Sequence, residues 1–213
     1  MEAFSKPTPP PWRLEVDARE YDNAPLREGK GSMYEGGIRV PCIVRWPGVA
    51  RPGKVCDTPV HVVDWLPTLL AAAGTAAPPE HVVDGADLRP LFEGKSLDER
   101  ALFWYLPFYE LRWKQTPCAI VRRGDYKLIE FFGDRIAEDG SYQEGRVVEL
   151  YDLGKDTGET ENLAERMPEL AQALVKELHD WMASVPVPVP GPNPHYDPER
   201  GLMETREKPA WME

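Results

Sequence analysis

The chain has 213 residues, of which 42% are hydrophobic and 29% are charged, a composition typical of a globular protein with one large domain or two small ones. Its formal net charge of -11 argues against sequence-independent binding to nucleic acid, which requires a basic surface. No apolar run approaches the roughly 18 residues of a membrane span. The first residues, MEAFSKPTPPPWRLEVD, show no signal-peptide pattern, and the compartment is left open.

The first predicted elements surround a glycine-dense turn. Residues 1–23 are rich in proline and charge and are expected to form an extended lead-in. The turn runs from Gly29 to Gly37, and the letters IRVPCIVRWPG after it predict a largely apolar strand, Ile38 to Trp46. A continuously apolar strand is typical of an α/β sheet that is covered on both faces.

A short buried helix is predicted next, in the letters WLPTLLAAAG that follow Asp64. Asp64 can accept backbone hydrogen bonds as an N-cap, the proline falls in the tolerant first turn, and Gly74 suits a C-cap.

Short β segments and a second helix follow the loop that contains Asp84 and Gly85. The segments run Ala101 to Tyr105, Ala119 to Arg123, Tyr126 to Phe132, and Val147 to Asp152. The turn letters R-G-D at 123–125 predict that two of them are adjacent antiparallel strands. Pro168 can begin a helix whose apolar stripe lies across this sheet. The stripe consists of Leu170, Leu174, Leu178 and Trp181.

Three cysteines and four histidines are scattered along the chain. Because the cysteines are odd in number and form no C-x-x-C pair, they are interpreted as small apolar core residues rather than disulfide or metal ligands. The histidines fall on different predicted elements and are expected to have surface or capping roles. These residues are Cys42, Cys56, Cys118, His61, His81, His179 and His195.

The most informative segment is PLREGKGSMYEGGIRVP, residues 25–41. Lys30 stands between two glycines, where a ligand can approach the backbone closely, and its compact ammonium suits phosphate or sulfate oxygens. A P-loop is excluded, because it would require a glycine in place of Ala24 and a serine or threonine in place of Gly31. From these residues alone, an anion site and a solvated lysine in a turn both remain open.

The same segment resembles the sulfatase signature G-K-x-x-x-Y-E-G-G-x-R-x-P, without a gap, from Gly29 to Pro41. The resemblance continues in family order to near Asp197. It comprises IVRWPG at 43–48, PVHVVDWLPTLLAAAG at 59–74, DGADLRPLFEG at 84–94, GDYKLIEFF at 124–132, ELYDLGKDTGETENLA at 149–164 and PGPNPHYDP at 190–198.

The resemblance implies an α/β fold of the alkaline-phosphatase-like superfamily, with an α+β arrangement in the C-terminal part. Residues 24–98 would form the end of the large α/β domain. Residues 99–184 would form a small antiparallel sheet packed by a C-terminal helix, and residues 185–213 a proline-rich strap and polar tail.

The resemblance also implies a chemistry. In sulfatases a hydrated formylglycine, made from Cys or Ser within C/S-x-P-x-R, attacks sulfur, and calcium held by Asp and Asn orients the sulfate. Lys30 matches a family lysine that stabilises charge on the sulfate, which assigns it a catalytic and substrate-binding role toward a sulfate ester. None of the cysteines lies in the nucleophile motif, and only isolated Asp17 and Asp22 precede Pro25 where paired aspartates are expected. No metal ligand is therefore assigned, and no cofactor is expected in this chain, although a complete relative requires calcium.

Several neighbouring groups receive simpler interpretations. The segment Trp104 to Tyr109 replaces the W-H-x-P-H-Y of relatives, and packing in the core is preferred over lining a substrate mouth. Tyr34 and Glu35 are expected to shape the turn that presents Lys30, with a solvated carboxylate. Arg122 and Arg123, at a strand end, are also expected to be solvated.

The preferred hypothesis is therefore a C-terminal fragment of a sulfatase that is inactive without a missing N-terminal half. The alternative is a non-catalytic structural or binding module of the same fold that requires a partner chain. A phosphatase or phosphotransferase of the superfamily is disfavoured by Y-E-G-G-x-R-x-P. We expect an uncovered apolar face around Ile38 to Trp46 and an exposed Lys30 near it.

Overall fold

The computed structural model describes residues 22–108, 116–133, 135–136, 142–143 and 145–186. In chain order the elements are α1 (Glu35–Ile38), α2 (Trp65–Ala72), α3 (Arg89–Phe92), β1 (Ala101–Leu106), β2 (Cys118–Arg123), β3 (Tyr126–Phe131), β4 (Arg135–Ile136), β5 (Tyr142–Gln143), β6 (Val147–Asp152) and α4 (Pro168–Ser184). A 3₁₀ turn, Val62–Asp64, leads directly into α2. Among these helices, none is both long and apolar enough to cross a bilayer. The predicted strap and polar tail lie outside the described residues from 187 onward.

Four of the strands form one antiparallel sheet in the order β1-β2-β3-β6. All four β segments predicted from the sequence are present in it, within one residue at each end. The predicted turn is also confirmed, because Arg123 lies opposite Tyr126 and only two residues connect them. Gly124 adopts φ +57° there, a conformation that favours glycine. The small pair β4 and β5 forms a separate two-stranded ladder.

The two faces of the sheet are covered by different parts of the chain. Helix α4 covers one face with its predicted apolar stripe, where Leu174 and Leu178 are buried. Near the end of this helix the ring of Trp181 stacks on that of Phe103 at 4.8 Å. The other face packs against the segment that precedes and includes α1, with Tyr34 in the cluster. The mixed helix and strand content agrees with the predicted fold class.

The strand predicted from Ile38 to Trp46 is wrong. Ile38 ends α1, and residues 39–46 belong to neither a helix nor a strand. Two of their apolar side chains are uncovered, since Val40 is 73% exposed and Ile43 is 94% exposed, whereas Val44 and Trp46 are half-buried and the ring of Trp46 packs edge-on against that of Phe92. A strand requires a neighbour that satisfies its backbone groups, and the described residues provide none beside this segment. The expected uncovered apolar face is therefore present.

Helix α2 begins after Asp64 as predicted and ends at Ala72, with Gly74 at φ +69° just beyond it. Its predicted burial is wrong, because Thr68 is its only buried residue and Leu66 and Leu69 are more than half exposed. Both leucines are therefore largely open to solvent.

The predictions for the cysteines and for the aromatic segment are each confirmed at one residue and wrong at others. Cys118 is buried in the sheet core, as expected, but Cys42 and Cys56 are exposed, which corrects their assignment as core residues. Both lie in the uncovered stretch that follows α1. Trp104 packs against the core cluster that contains Tyr34, as preferred, whereas Phe108 is more than half exposed. Tyr109 lies outside the described residues.

Candidate functional site

Lys30 lies in a tight turn between residue 27 and α1. The amide of Ser32 donates to the carbonyl of Gly29 at 3.0 Å, and Gly31 adopts φ +99°, which favours glycine. The side chain of Lys30 is exposed, as predicted, and it forms no ion pair with any residue in the described part of the chain. Its ammonium is accessible to a ligand, while its catalytic role stays a prediction.

The two glycines of the Y-E-G-G motif allow the chain to pack against itself at the base of this turn. A Cβ atom added to Gly36 would lie 2.3 Å from the carbonyl oxygen of Arg27, and one added to Gly37 would lie 2.1 Å from that of Ser32. The amide of Gly36 donates to the same Arg27 carbonyl at 2.9 Å. A side chain at either position would force the Lys30 turn open.

Glu35 is fixed in the interior rather than solvated, which corrects the expectation from the sequence. The side chain is 2% exposed and pairs with the buried ammonium of Lys127 at 3.1 Å. Lys127 also pairs with Glu159 at 2.8 Å, and the other Glu159 oxygen accepts the Glu35 amide at 2.6 Å. Arg122 lies 3.6 Å from Glu35 and is mostly buried, so its predicted solvation is also wrong. Buried charges are tolerated when they are paired in this way.

A second polar cluster holds the other end of the turn. Arg27 donates to the hydroxyl of Tyr151 and to the carbonyl of Glu159, both at 3.0 Å, and its guanidinium lies over the ring of Tyr34. Both tyrosine hydroxyls donate to one oxygen of Glu149, at 2.7 and 2.9 Å. Tyr34 therefore does shape the turn, through contacts with residues more than a hundred positions away.

Charged side chains of both signs meet at the C-terminal end of the turn. Three cations, Lys127, Arg122 and Arg39, surround the two carboxylates of Glu35 and Glu159. Burial raises the pKa of Glu159, and the opposing charge of Lys127 only partly offsets this effect.

The tyrosines of the second cluster contribute no negative charge. Burial raises the pKa of Tyr34 and of Tyr151 well above the ordinary value, and the nearby Glu149 carboxylate raises both further. Both hydroxyls therefore stay protonated and donate at physiological pH. Arg135 balances Glu149 at 3.0 Å.

A separate cluster connects α2 to the sulfatase-like segment D-G-A-D. The Asp64 carboxylate is fully buried and accepts from Arg100 at 2.5 Å, from the amide of His61 at 2.7 Å and from that of Ala86 at 2.9 Å. A Cβ atom on Gly85 would lie 2.2 Å from the carbonyl oxygen of Val63. Asp64 thus holds two loops together instead of capping the amides of α2.

The histidine expectations can be checked at three positions. The ring nitrogen of His61 accepts the amide of Val63 at 3.4 Å, which confirms a capping role. His81 is exposed, and His179 contacts the buried Glu130 at 2.7 Å on the helix side of the sheet. None of these rings shares a contact with Lys30. His195 lies outside the described residues.

The described residues do not fit the calcium that the resemblance implies for a complete relative. They contain no group of three or more His, Cys, Asp or Glu side chains placed to hold a metal ion. The buried carboxylates already face cations, with Glu35 and Glu159 on Lys127 and Asp64 on Arg100. Calcium requires six to eight oxygen ligands, so no chemical step is derived through it.

The supporting contacts of most residues around the Lys30 turn were not predicted from the sequence. The alternation of β3 does carry a signal, because Lys127 shares a sheet face with the buried residues Ile129 and Phe131. A lysine on a core face requires a buried partner. Glu159 and Arg27 carry no comparable local signal, since their contacts join distant parts of the chain.

Comparison with known proteins identifies the family. Residues 29–185 match the family described as N-sulphoglucosamine sulphohydrolase, C-terminal. The chain belongs to the sulfatase family. The matched range contains Lys30, the Y-E-G-G motif and the whole sheet, so this sulfatase chain contains the family's C-terminal region.

Individual relatives agree with this assignment. The sulfatase chain is 36% identical over 177 residues to a sulfatase of Formosa agariphila, covering 76% of this chain and 30% of the relative. It is 39% identical over 165 residues to human arylsulfatase A, covering 70% of this chain and 31% of the relative. The crystal structure of Ps i-CgsB has a TM-score of 0.59 and 25% identity, covering 75% of this chain and 32% of that one. The chain thus spans about a third of the length of these relatives.

Proposed function

We propose that this chain provides the C-terminal part of a sulfuric ester hydrolase, in which Lys30 binds the sulfate group of the substrate. The observation that supports the proposal is the exposed ammonium of Lys30 on a turn that is held at both ends by buried polar contacts. A lysine on such a turn meets the sulfate without reorganising, which is the condition for effective electrostatic stabilisation.

The proposed role of Lys30 is to stabilise negative charge on the sulfate oxygens as the sulfur–oxygen bond of the ester breaks. An ammonium is suited to this task because it is a compact charge with three donors.

The nucleophile and the calcium belong, under this proposal, to sequence beyond these 213 residues. None of the three cysteines stands in C/S-x-P-x-R, and the described carboxylates do not form a metal site. We therefore expect this chain alone to show no appreciable hydrolysis of a chromogenic aryl sulfate with calcium. Turnover by a contaminant-free preparation that disappears in Lys30→Ala would contradict this expectation.

The experiment that tests the function begins with the gene sequence upstream of the segment encoding this chain. Under the proposal it encodes C/S-x-P-x-R and paired aspartates, in the same or an adjacent reading frame. When the two parts are produced together, sulfate esters should be hydrolysed, and Lys30→Ala should lower kcat/KM by about 100- to 1000-fold.

Lys176→Ala is the matched control, because Lys176 is also exposed but lies on α4, across the sheet from the turn. It should leave kcat/KM unchanged. An upstream region without the motif and the aspartates would instead favour a non-catalytic module of the sulfatase fold.

A further inference from the structure

Glu159 has an unusual backbone conformation for its position in the fold. It lies in the loop between β6 and α4, is fully buried, and adopts φ +53°. A residue other than glycine pays a conformational cost in this region, and such strain persists only where the surrounding contacts maintain it. The contacts of Glu159 therefore identify what the strained backbone supports.

Those contacts reach both ends of the Lys30 turn. The Glu159 carboxylate accepts the amide of Glu35 at 2.6 Å, at the C-terminal end of the turn. The Glu159 carbonyl accepts from the guanidinium of Arg27 at 3.0 Å, at the N-terminal end. The left-handed backbone is compatible with both contacts, since the side chain faces one end of the turn while the carbonyl faces the other.

We propose that Glu159 is a positioning residue, which sets the place of the Lys30 ammonium by fixing the two ends of its turn. The role of Lys30 in binding sulfate rests on the proposed function. The claim that Glu159 holds the turn concerns the structure alone. It accounts for a buried carboxylate in a loop more than a hundred residues from the segment that it holds.

A carboxylate is required at this position because two donors approach it. One oxygen of Glu159 faces the Glu35 amide and the other faces the Lys127 ammonium at 2.8 Å. An amide side chain has a single acceptor oxygen and would turn its NH₂ group toward one of the two donors. Glu159→Gln has nearly the same shape as the native residue, yet it must lose one of the two contacts. Because an NH₂ group facing the charged Lys127 ammonium costs more than one facing a neutral amide, the oxygen should turn toward Lys127 and the contact with the Glu35 amide should be lost.

Amide hydrogen exchange on the full chain tests the proposal. Loss of a hydrogen bond to a charged group should speed exchange in residues 27–37 by about 10- to 100-fold in Glu159→Gln, while exchange in β2 and β3 changes much less. The short hydrogen bond to a carboxylate should also shift the Glu35 amide proton downfield in the NMR spectrum of the native chain, and this proton should move upfield in Glu159→Gln.

Glu161→Gln and Lys30→Ala are the controls. Glu161 is an exposed carboxylate two residues further on, paired with Arg166 at the surface, and neither control should alter exchange in residues 27–37. If Glu159→Gln does not fold, Glu159→Asp makes the same comparison, because it keeps the charge but is too short to contact both donors.

Equal acceleration in all segments of the Glu159 variants would show a general stabilising role and overturn the proposal, as would unchanged exchange in residues 27–37. These measurements require no hydrolysis. Exchange in residues 27–37 that is unchanged, or accelerated no more than elsewhere, therefore counts against positioning by Glu159. An unaltered kcat/KM in Lys30→Ala counts against the proposed function.

Discussion

The Y-E-G-G motif combines two buried polar side chains with two glycines that lie against backbone atoms. Tyr34 donates to Glu149, and Glu35 pairs with Lys127, so both side chains join the motif to the sheet. The glycines allow the chain before and after Lys30 to meet. The motif is therefore a folding unit that holds the lysine, and its tolerance of substitution follows from these contacts.

Gly36→Ala should be strongly destabilising. The added Cβ would meet the carbonyl oxygens of Arg27 and Glu28 at 2.3 and 2.4 Å, and a backbone clash cannot be relieved by a side-chain rotation. We expect a loss of about 2 to 3 kcal/mol in the free energy of unfolding, measured in urea. Gly53→Ala should cost only about 1 kcal/mol, because an added Cβ meets nothing within 4 Å there and only the left-handed backbone, φ +69°, opposes the change. Equal costs would contradict the explanation.

Asp64 should make stability depend on pH in the acid range. Burial acts to raise its pKa, but hydrogen bonds from Arg100 and from the amides of His61 and Ala86 outweigh burial and hold the pKa below its ordinary value. A depressed folded pKa means that the ionised carboxylate stabilises the fold above the unfolded pKa of about 3.9. This contribution is lost as the pH falls through the lower folded value.

Asp64→Asn should therefore lower the free energy of unfolding by about 2 kcal/mol near pH 7. The difference from the native chain should shrink as the pH falls below about 4, because the native carboxyl is then neutralised too. Urea unfolding at several pH values measures both effects. Asp57→Asn, at an exposed position, is the control. A difference in the free energy of unfolding between Asp64→Asn and the native chain that stays constant down to pH 2 would contradict the stabilising role of the ionised Asp64 carboxylate.

At the residue scale, the sequence predicted what depends on local chemistry and missed what depends on distant partners. The exposure of Lys30 follows from its neighbouring glycines, and the capping by His61 is local. Glu35 was expected to be solvated because its partner Lys127 lies 92 positions away. Arg122 was misjudged for the same reason, since burial of a charge depends on the partner that meets it.

At the scale of elements, prediction succeeded where an element and its cover lie in the same part of the chain. The four strands of the sheet are consecutive neighbours apart from the small β4 and β5 pair, and α4 follows directly and covers them. Alternating and helical patterns therefore matched the final structure. The strand predicted at residues 38–46 failed, because its pattern indicates burial that no described element supplies.

The packing of α4 on the sheet should dominate the stability of this region. Leu178 is fully buried against the sheet, so Leu178→Ala should lower the free energy of unfolding by about 2 to 5 kcal/mol. Leu69→Ala removes the same atoms from a site on α2 that is 61% exposed. This variant should change the free energy of unfolding by less than about 1 kcal/mol. Equal losses in urea unfolding would show that α2 is covered in solution.

At the scale of the whole molecule, uncovered apolar side chains are concentrated in one stretch. Within the part of the chain that the structure describes, and apart from Phe108, the large exposed apolar residues fall between residues 40 and 82: Val40, Ile43, Val55, Val62, Val63, Leu66, Leu69 and Val82. The sheet and α4 bury their apolar residues normally. Since the match spans only about a third of the length of the relatives, the uncovered stretch is consistent with a surface that meets further sulfatase sequence.

The chain alone should therefore self-associate, because contiguous exposed apolar surface and unpaired extended backbone both promote association. Sedimentation should show species larger than 24.1 kDa, and an apolar dye should bind. The double variant Ile43→Asp with Val55→Asp places charge on two of the most exposed apolar positions and should shift the population toward monomer and reduce dye binding. Ala173→Asp adds charge at an exposed site on α4 and should leave association unchanged. A strictly monomeric native chain that binds no dye and unfolds in one sharp thermal transition would contradict the expectation, since the apolar stretch would then have to be covered by the chain itself.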